Sequence, residues 1–201
     1  SKSLGNVLTI RNLLEKHSSE VLRYALLSGQ YRSLLTWSDE LLAQARASLD
    51  SLYQSLRDAG SEQSITSADF HDVDIHEYPK VVVDALSDDL NTPKALAGLH
   101  ELANQLRRAT DTEAKNAAVQ QLLAGGSLLG LLIQTPDTYF TQGQPGGASS
   151  MTADAIEALI EQRKAARTSG DYAGADRIRD DLLASGIELE DSREGTRWRK
   201  L

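Results

Sequence analysis

The sequence predicts a mainly α protein: an antiparallel helical bundle followed by a small α+β unit of two helices and a β-hairpin. Three observations carry this. Apolar residues recur at helical spacing through the first two thirds of the chain, as in Leu41, Leu42, Ala45, Leu49, Leu52 and Leu56. Of 201 residues 40% are hydrophobic, yet only two are Phe, two Trp and six Tyr, so Leu and Ala must fill the interior. Both residues favour helices. Alternation of apolar and acidic residues begins only at Ile187-Glu188-Leu189-Glu190, the pattern of a half-buried strand.

Taken in order, Thr9 is a good N-cap for a short helix over Ile10 to Lys16, with Ile10, Leu13 and Leu14 on one face. Ser18 and Ser19 restart the chain, and Val21, Leu22, Tyr24, Ala25 and Leu26 predict a second helix ending near Gly29. A long amphipathic helix follows from Ser38 to Asp58, closed by Gly60. Residues 61–77 are polar and acidic and read as an exposed connection. Helical character returns over Lys80 to Leu86. Asn91-Thr92-Pro93 is then a start signal, with Thr92 as cap and Pro93 at the first helical position, where its missing N–H costs nothing. Leu96, Leu99, Leu102, Ala103 and Leu106 mark that helix, and two further helices are expected over Thr112 to Leu123 and Ser127 to Ile133.

Thr135 to Ser150 contains Pro136, Gly143, Pro145, Gly146 and Gly147, a composition that favours neither helix nor strand and reads as a flexible linker. Beyond it Thr152 caps a helix to about Thr168, Asp171 caps another to Ala184, and Gly186 ends that one. Ile187 to Glu190 and Thr196 to Lys200 are strand-like around a turn at Ser192 to Gly195. The expected domains are 1–35 (the end of a loop and connecting helices), 36–134 (the bundle), 135–151 (the linker) and 152–201 (the small C-terminal unit).

Composition narrows the functions. Without Cys the chain forms no disulfide and binds no zinc through thiolates. No run of about 18 apolar residues is present to cross a membrane, so a cytoplasmic location is expected. The net charge of -8 argues at first against nucleic acid, but it is unevenly distributed. Residues 1–35 carry +3, residues 36–150 carry -9, and the last ten carry +3 through Arg193, Arg197, Arg199 and Lys200. His71 and His76, among Asp69, Asp72, Asp74 and Glu77, suggest a metal loop only superficially, since their spacing fits no structural zinc pattern. His17 and His100 read as ordinary helical positions.

The motifs are sharper. Ser1 to Ser33, SKSLGNVLTIRNLLEKHSSEVLRYALLSGQYRS, closely resembles the segment that follows the signature loop of class I aminoacyl-tRNA synthetases in its cysteinyl version, where the loop reads Lys-Met-Ser-Lys-Ser. Glu20-Val21-Leu22-Arg23 resembles the Asp-Ala-Leu-Arg stretch that names a helical domain of such enzymes, and Asp88-Asp89-Leu90-Asn91-Thr92-Pro93 resembles an Asp-Asp-x-Asn-Thr-Pro segment in that domain. Arg167, Asp171-Tyr172-x-x-Ala175-Asp176, Ile178-Arg179-Asp180, Gly186-Ile187-x-Leu189-Glu190-Asp191 and Gly195-Thr196-x-Trp198-Arg199 resemble the anticodon-reading tail of cysteinyl-tRNA synthetases.

This resemblance implies the C-terminal, tRNA-reading portion of a cysteine-attaching enzyme, with a DALR-like anticodon-binding bundle. It implies tRNA-Cys with anticodon GCA as partner, a monomer, and ATP with Mg and Zn as cofactors of the full-length enzyme. Opening inside a loop without Met, the chain is expected to be a piece lacking the catalytic domain and to bind none of these cofactors alone. Lys2 matches the second loop lysine, which in the family helps stabilise the ATP triphosphate. Arg167, Asp176 and Asp191 match base-contacting positions; carboxylates accept from the exocyclic amines of cytosine or adenine or from the imino and amino N–H edge of guanine, and Arg donates to guanine acceptors or phosphate. Tyr172 stands where the family more often has Trp or Phe. Arg197, Trp198 and Arg199 suit RNA, although Trp198 equally suits a core anchor of the hairpin. Two other readings remain: a cysteine ligase of mycothiol synthesis, which needs no anticodon reader, and a free-standing helical RNA-binding or scaffold module.

Overall fold

In a computed structural model, residues 9–63, 75–143, 145, 151–192 and 195–201 are described. Among them the chain forms α1 (Ile10–Leu14), α2 (Ser19–Leu27), α3 (Asp39–Asp58), α4 (Lys80–Ser87), α5 (Thr92–Arg108), α6 (Thr112–Leu129), α7 (Pro136–Gln142), α8 (Ala153–Ser169), α9 (Tyr172–Ala184), β1 (Ile187–Asp191) and β2 (Thr196–Lys200). These fall into two compact units, one spanning Ser18–Asp137 and the other made of Ser1–His17 and Thr138–Leu201.

The first unit is a helical bundle in which α2 and α5 pack on α3, and α4 and α6 pack on α5. Its core follows the predicted stripes: Leu42, Ala45, Leu49, Leu52 and Leu56 of α3 are buried against Leu96, Leu99, Leu102, Ala103 and Leu106 of α5. Serine caps begin α2 and α3, Ser18 accepting from the Val21 N–H and Ser38 from the Leu41 N–H. α2, which lies before the expected boundary at residue 36, packs into this bundle.

Several details differ from the sequence reading. Asn91, not Thr92, caps α5: its Oδ1 accepts from the Lys94 N–H at 3.1 Å, while the Thr92 hydroxyl turns to the Gly29 carbonyl at 3.4 Å. α6 runs unbroken through Gly125 and Gly126 where two helices were expected. Glycine disfavours helix in isolation, but here tertiary packing selects it. A Cβ on Gly125 would lie 2.9 Å from Leu99 Cδ2 and 3.0 Å from Pro79 Cγ, and one on Gly126 would lie 3.0 Å from the Leu131 carbonyl. The stretch after Thr135, expected to be neither helix nor strand, carries α7, with Tyr139 and Phe140 buried edge to face at 5.1 Å. α1 ends two residues early, leaving His17 in the bend before α2. Most of 61–77, including the His71 region, lies outside the described residues.

One buried polar cluster was not legible. Glu20 of α2 is 2% exposed, and its carboxylate accepts from the Tyr53 hydroxyl at 2.9 and 3.0 Å and from the Leu132 N–H at 2.5 Å. Burial pushes its pKa up, and these hydrogen bonds oppose that shift. The carboxylate thereby ties α2 and α3 to the turn after α6, where Leu132 takes a left-handed φ of 61°.

In the second unit α8 and α9 pack side by side, and α9 packs on β1. β1 and β2 are antiparallel with Ile187 opposite Lys200, Leu189 opposite Trp198 and Asp191 opposite Thr196. The core is Ile156 and Ile160 of α8, Leu182 of α9, and Ile187, Leu189 and Trp198 of the hairpin.

Candidate nucleic-acid interface

The hairpin's two-residue periodicity sorts its side chains. Ile187 and Leu189 face the core, so Asp191 leaves the same face at its rim, with Thr196 as its cross-strand partner. On α8, Ile156, Ile160, Arg163 and Arg167 follow each other at spacings of four, three and four residues and share one stripe. The apolar stripe that packs on the hairpin therefore ends in two arginines, where the hairpin's inner face ends in a carboxylate.

Those groups meet. Arg163 donates to both Asp191 oxygens, Nη1 to Oδ1 at 2.8 Å and Nη2 to Oδ2 at 2.6 Å. Thr196 Oγ1 donates to Oδ1 at 2.7 Å, and Arg167 Nη1 stands 3.5 Å from Oδ2. The fork of Arg163 holds the Asp191 carboxyl far below the usual carboxylate range, with Thr196 and Arg167 adding to the effect. Asp191 raises the pKa of Arg163 in turn, and the charge of Asp176 adds to that. The Arg163 side chain is only 7% exposed, against 40% for Asp191 and 54% for Arg167. Beside them lies an open groove of about 770 Å³, lined by Glu157, Lys164, Arg167, Asp191, Ser192 and Thr196 among others.

The predicted site residues are thus placed unequally. Arg167 and Asp191 flank the groove. Tyr172 opens α9 with 67% of its surface exposed, and Asp176 lies exposed one turn further on. Trp198 is placed otherwise: it is 5% exposed in the core, and its indole Nε1 donates to Glu157 Oε1 at 2.6 Å. Of its two readings the burial fits the core anchor, because a ring enclosed on both faces has none to offer a base. Arg197 and Arg199 alternate to the hairpin's other face, across from Glu190 and Glu188. Arg199 is held there by Glu188 at 2.5 to 2.6 Å. Lys2 lies outside the described residues. Arg163 was missed by sequence reasoning, although an arginine in register with Ile156 and Ile160 was its available signal. Among the described residues no group of three His, Cys, Asp or Glu is arranged to hold a metal ion, and no helix is long and apolar enough to cross a membrane.

Comparison with known proteins adds three family matches along the chain. Residues 1–47 match the tRNA synthetases class I (C) catalytic domain, residues 81–134 the DALR domain, and residues 151–199 the cysteinyl-tRNA ligase anticodon binding domain. Curated relatives include cysteine–tRNA ligases of Marinobacter nauticus, 45% identical over 203 residues, and Saccharophagus degradans, 46% identical over 201 residues; each alignment covers 100% of this chain and 42% of the relative. An Escherichia coli cysteine–tRNA ligase is 41% identical over 202 residues, again 100% of this chain and 42% of that protein. The chain spans about two fifths of the length of the curated relatives it matches.

Proposed function

The chain belongs to the cysteine–tRNA ligase family, matching the C-terminal portion of its members, and on that footing we propose that it binds tRNA-Cys and recognises its GCA anticodon. The activity it serves is the ATP-dependent attachment of cysteine to that tRNA in the cytoplasm, by an enzyme acting as a monomer. The observation that carries this is the pairing of Arg167 and Asp191, a donor and an acceptor 3.5 Å apart beside an open groove. Unpaired anticodon bases present edges that such groups can read.

In this reading 152–201 is the base-reading unit. Arg167 and Asp191 form one contact, exposed Tyr172 offers a ring for stacking, and Asp176 a second acceptor. Trp198 serves by anchoring the hairpin. Arg197 and Arg199 would meet phosphate on the outer face, Arg199 by exchanging Glu188 for it. Binding energy gained at the anticodon is remote from the reacting carbonyl and is used to align the acceptor end of the tRNA.

For ATP, Lys2 would stabilise the triphosphate as the adenylate forms, with Mg as its counter-ion. Among the chain's described residues none fits a zinc site: the sequence has no Cys to supply thiolates, and no metal-binding cluster occurs among those residues. No step through zinc is assigned to it. The mycothiol ligase and scaffold readings gain no support, because the anticodon-domain match extends over 151–199.

The direct test is binding of this chain to tRNA carrying GCA and to a copy with the anticodon changed, across a salt series. Tighter binding to GCA is expected; equal, salt-sensitive binding would reflect phosphate contacts alone and would refute the proposal. In the complete ligase, Arg167→Ala or Asp176→Ala should lower charging and spare cysteine-dependent pyrophosphate exchange. Lys2→Ala should slow that exchange by about 3 kcal/mol of lost transition-state stabilisation.

A further inference from the structure

Among the described residues Arg163 is the best-enclosed charge of the C-terminal unit, and its Nε has no hydrogen-bond partner there. Its register with Ile156 and Ile160 would suit a leucine, and a buried ion pair is seldom more stabilising than the apolar residues that could replace it. What the pair supplies is geometry. A carboxylate has about four acceptor sites. At Asp191, Arg163 fills two and Thr196 a third, while among the described residues the side of Oδ2 toward Arg167 carries only the longer 3.5 Å contact.

We infer that Arg163 is a positioning residue for base recognition: by gripping both oxygens of Asp191 it fixes that carboxylate beside Arg167, so an unpaired nucleobase meets an acceptor and a donor already in place. This deepens the anticodon reading and rests on it. At 7% exposure the Arg163 side chain is shielded from RNA and acts through Asp191. Without the fork, Asp191 regains its rotamers and Arg167 closes onto it as an ordinary surface pair. The groove would then still attract phosphate but would no longer present a fixed edge. Preorganisation of this kind raises affinity by removing an ordering cost that the ligand would otherwise bear.

The test is anisotropy titration of the 201-residue chain with labelled tRNA bearing GCA and with copies altered at each anticodon position. Arg163→Lys keeps the charge but loses the fork. It should reduce the preference for GCA about ten-fold, within the range lost with one bidentate contact. The salt slope should not change, because Arg163 touches no phosphate. In an Asp191→Asn background Arg163→Lys should add nothing, as expected of two residues acting as a unit. Retained preference, equal weakening on every tRNA, or additive losses would each overturn the inference. Near-ultraviolet circular dichroism in a Trp37→Phe background, which leaves Trp198 as the one tryptophan of the sequence, reports whether the variant is folded. Should Arg163→Lys not fold, Thr196→Val, which removes one bond to Asp191, decides: about a three-fold loss of preference is expected, and no loss overturns it. A wild-type chain without preference would refute the anticodon reading itself, and the role of Arg163 with it.

Discussion

Glu20 and Asp191 show how placement gives one functional group opposite behaviour. Asp191 sits at a rim with a guanidinium on both oxygens and is held ionised. Glu20 is enclosed among neutral donors, and burial raises its pKa above 4.5. A raised carboxyl pKa contributes stability that is full below the unfolded value and lost as pH rises through the folded one. Glu20→Gln cannot ionise, so its stability relative to wild type should improve from pH 4.5 to pH 7.5 in urea unfolding. A pH-independent difference would contradict the burial argument. Glu20→Ala should cost about 3 kcal/mol at pH 4.5, because the buried Leu132 N–H and Tyr53 hydroxyl lose their acceptor, and less at pH 7.5, because alanine like glutamine does not ionise.

Most helices start at a side-chain cap, and α6 and α8 stop at a glycine in the left-handed region. Asn91→Ala should destabilise the bundle by about 1 kcal/mol, the usual value of an N-cap. Thr92→Ala should cost less, since its hydroxyl makes only a 3.4 Å contact to Gly29. The reverse order in thermal melts would return the cap to Thr92. Gly130 ends α6 in the left-handed region at φ 65°, and a Cβ there would collide with the Arg23 guanidinium, which donates to the Gly130 carbonyl at 2.9 Å. Gly130→Ala should therefore cost more than about 1 kcal/mol, combining backbone strain with the displaced arginine. Denaturant midpoints of Gly130→Ala and Gly60→Ala compare the two, because Gly60 has a similar φ of 72° but open space around its Cβ position.

At the scale of the molecule, structural and RNA-facing roles should separate. Trp198→Ala removes the largest side chain of the C-terminal core and should cost about 3–5 kcal/mol. Hydrogen exchange should show lost protection over 152–201 with α3 and α5 still protected. Tyr172→Ala and Asp176→Ala alter exposed positions, so stability should move by less than about 0.5 kcal/mol. Binding to GCA tRNA should nevertheless weaken, by about 1–3 kcal/mol for loss of a stacking ring. If Tyr172→Ala binds as wild type, that ring is not a stacking platform.

The sequence by itself determined the helical class, the stripes that build the bundle, most caps, the two strands of the hairpin and the family, since all of these are written in local periodicity, capping residues and contiguous motifs. Tertiary structure decided what depends on neighbours distant in the chain. Gly125 and Gly126 look like a break, yet α6 runs through them, and glycine stands there because Leu99, Pro79 and the Leu131 carbonyl leave no room for a Cβ. Trp198 reads equally as a base stack or a core anchor until Ile156, Leu182 and Glu157 enclose it. Arg163 became visible only when Asp191, 28 residues away, met it across the helix–hairpin contact. Periodicity gives the face a residue occupies, but a buried charge is explained by its partner, and the fold alone brings partners together.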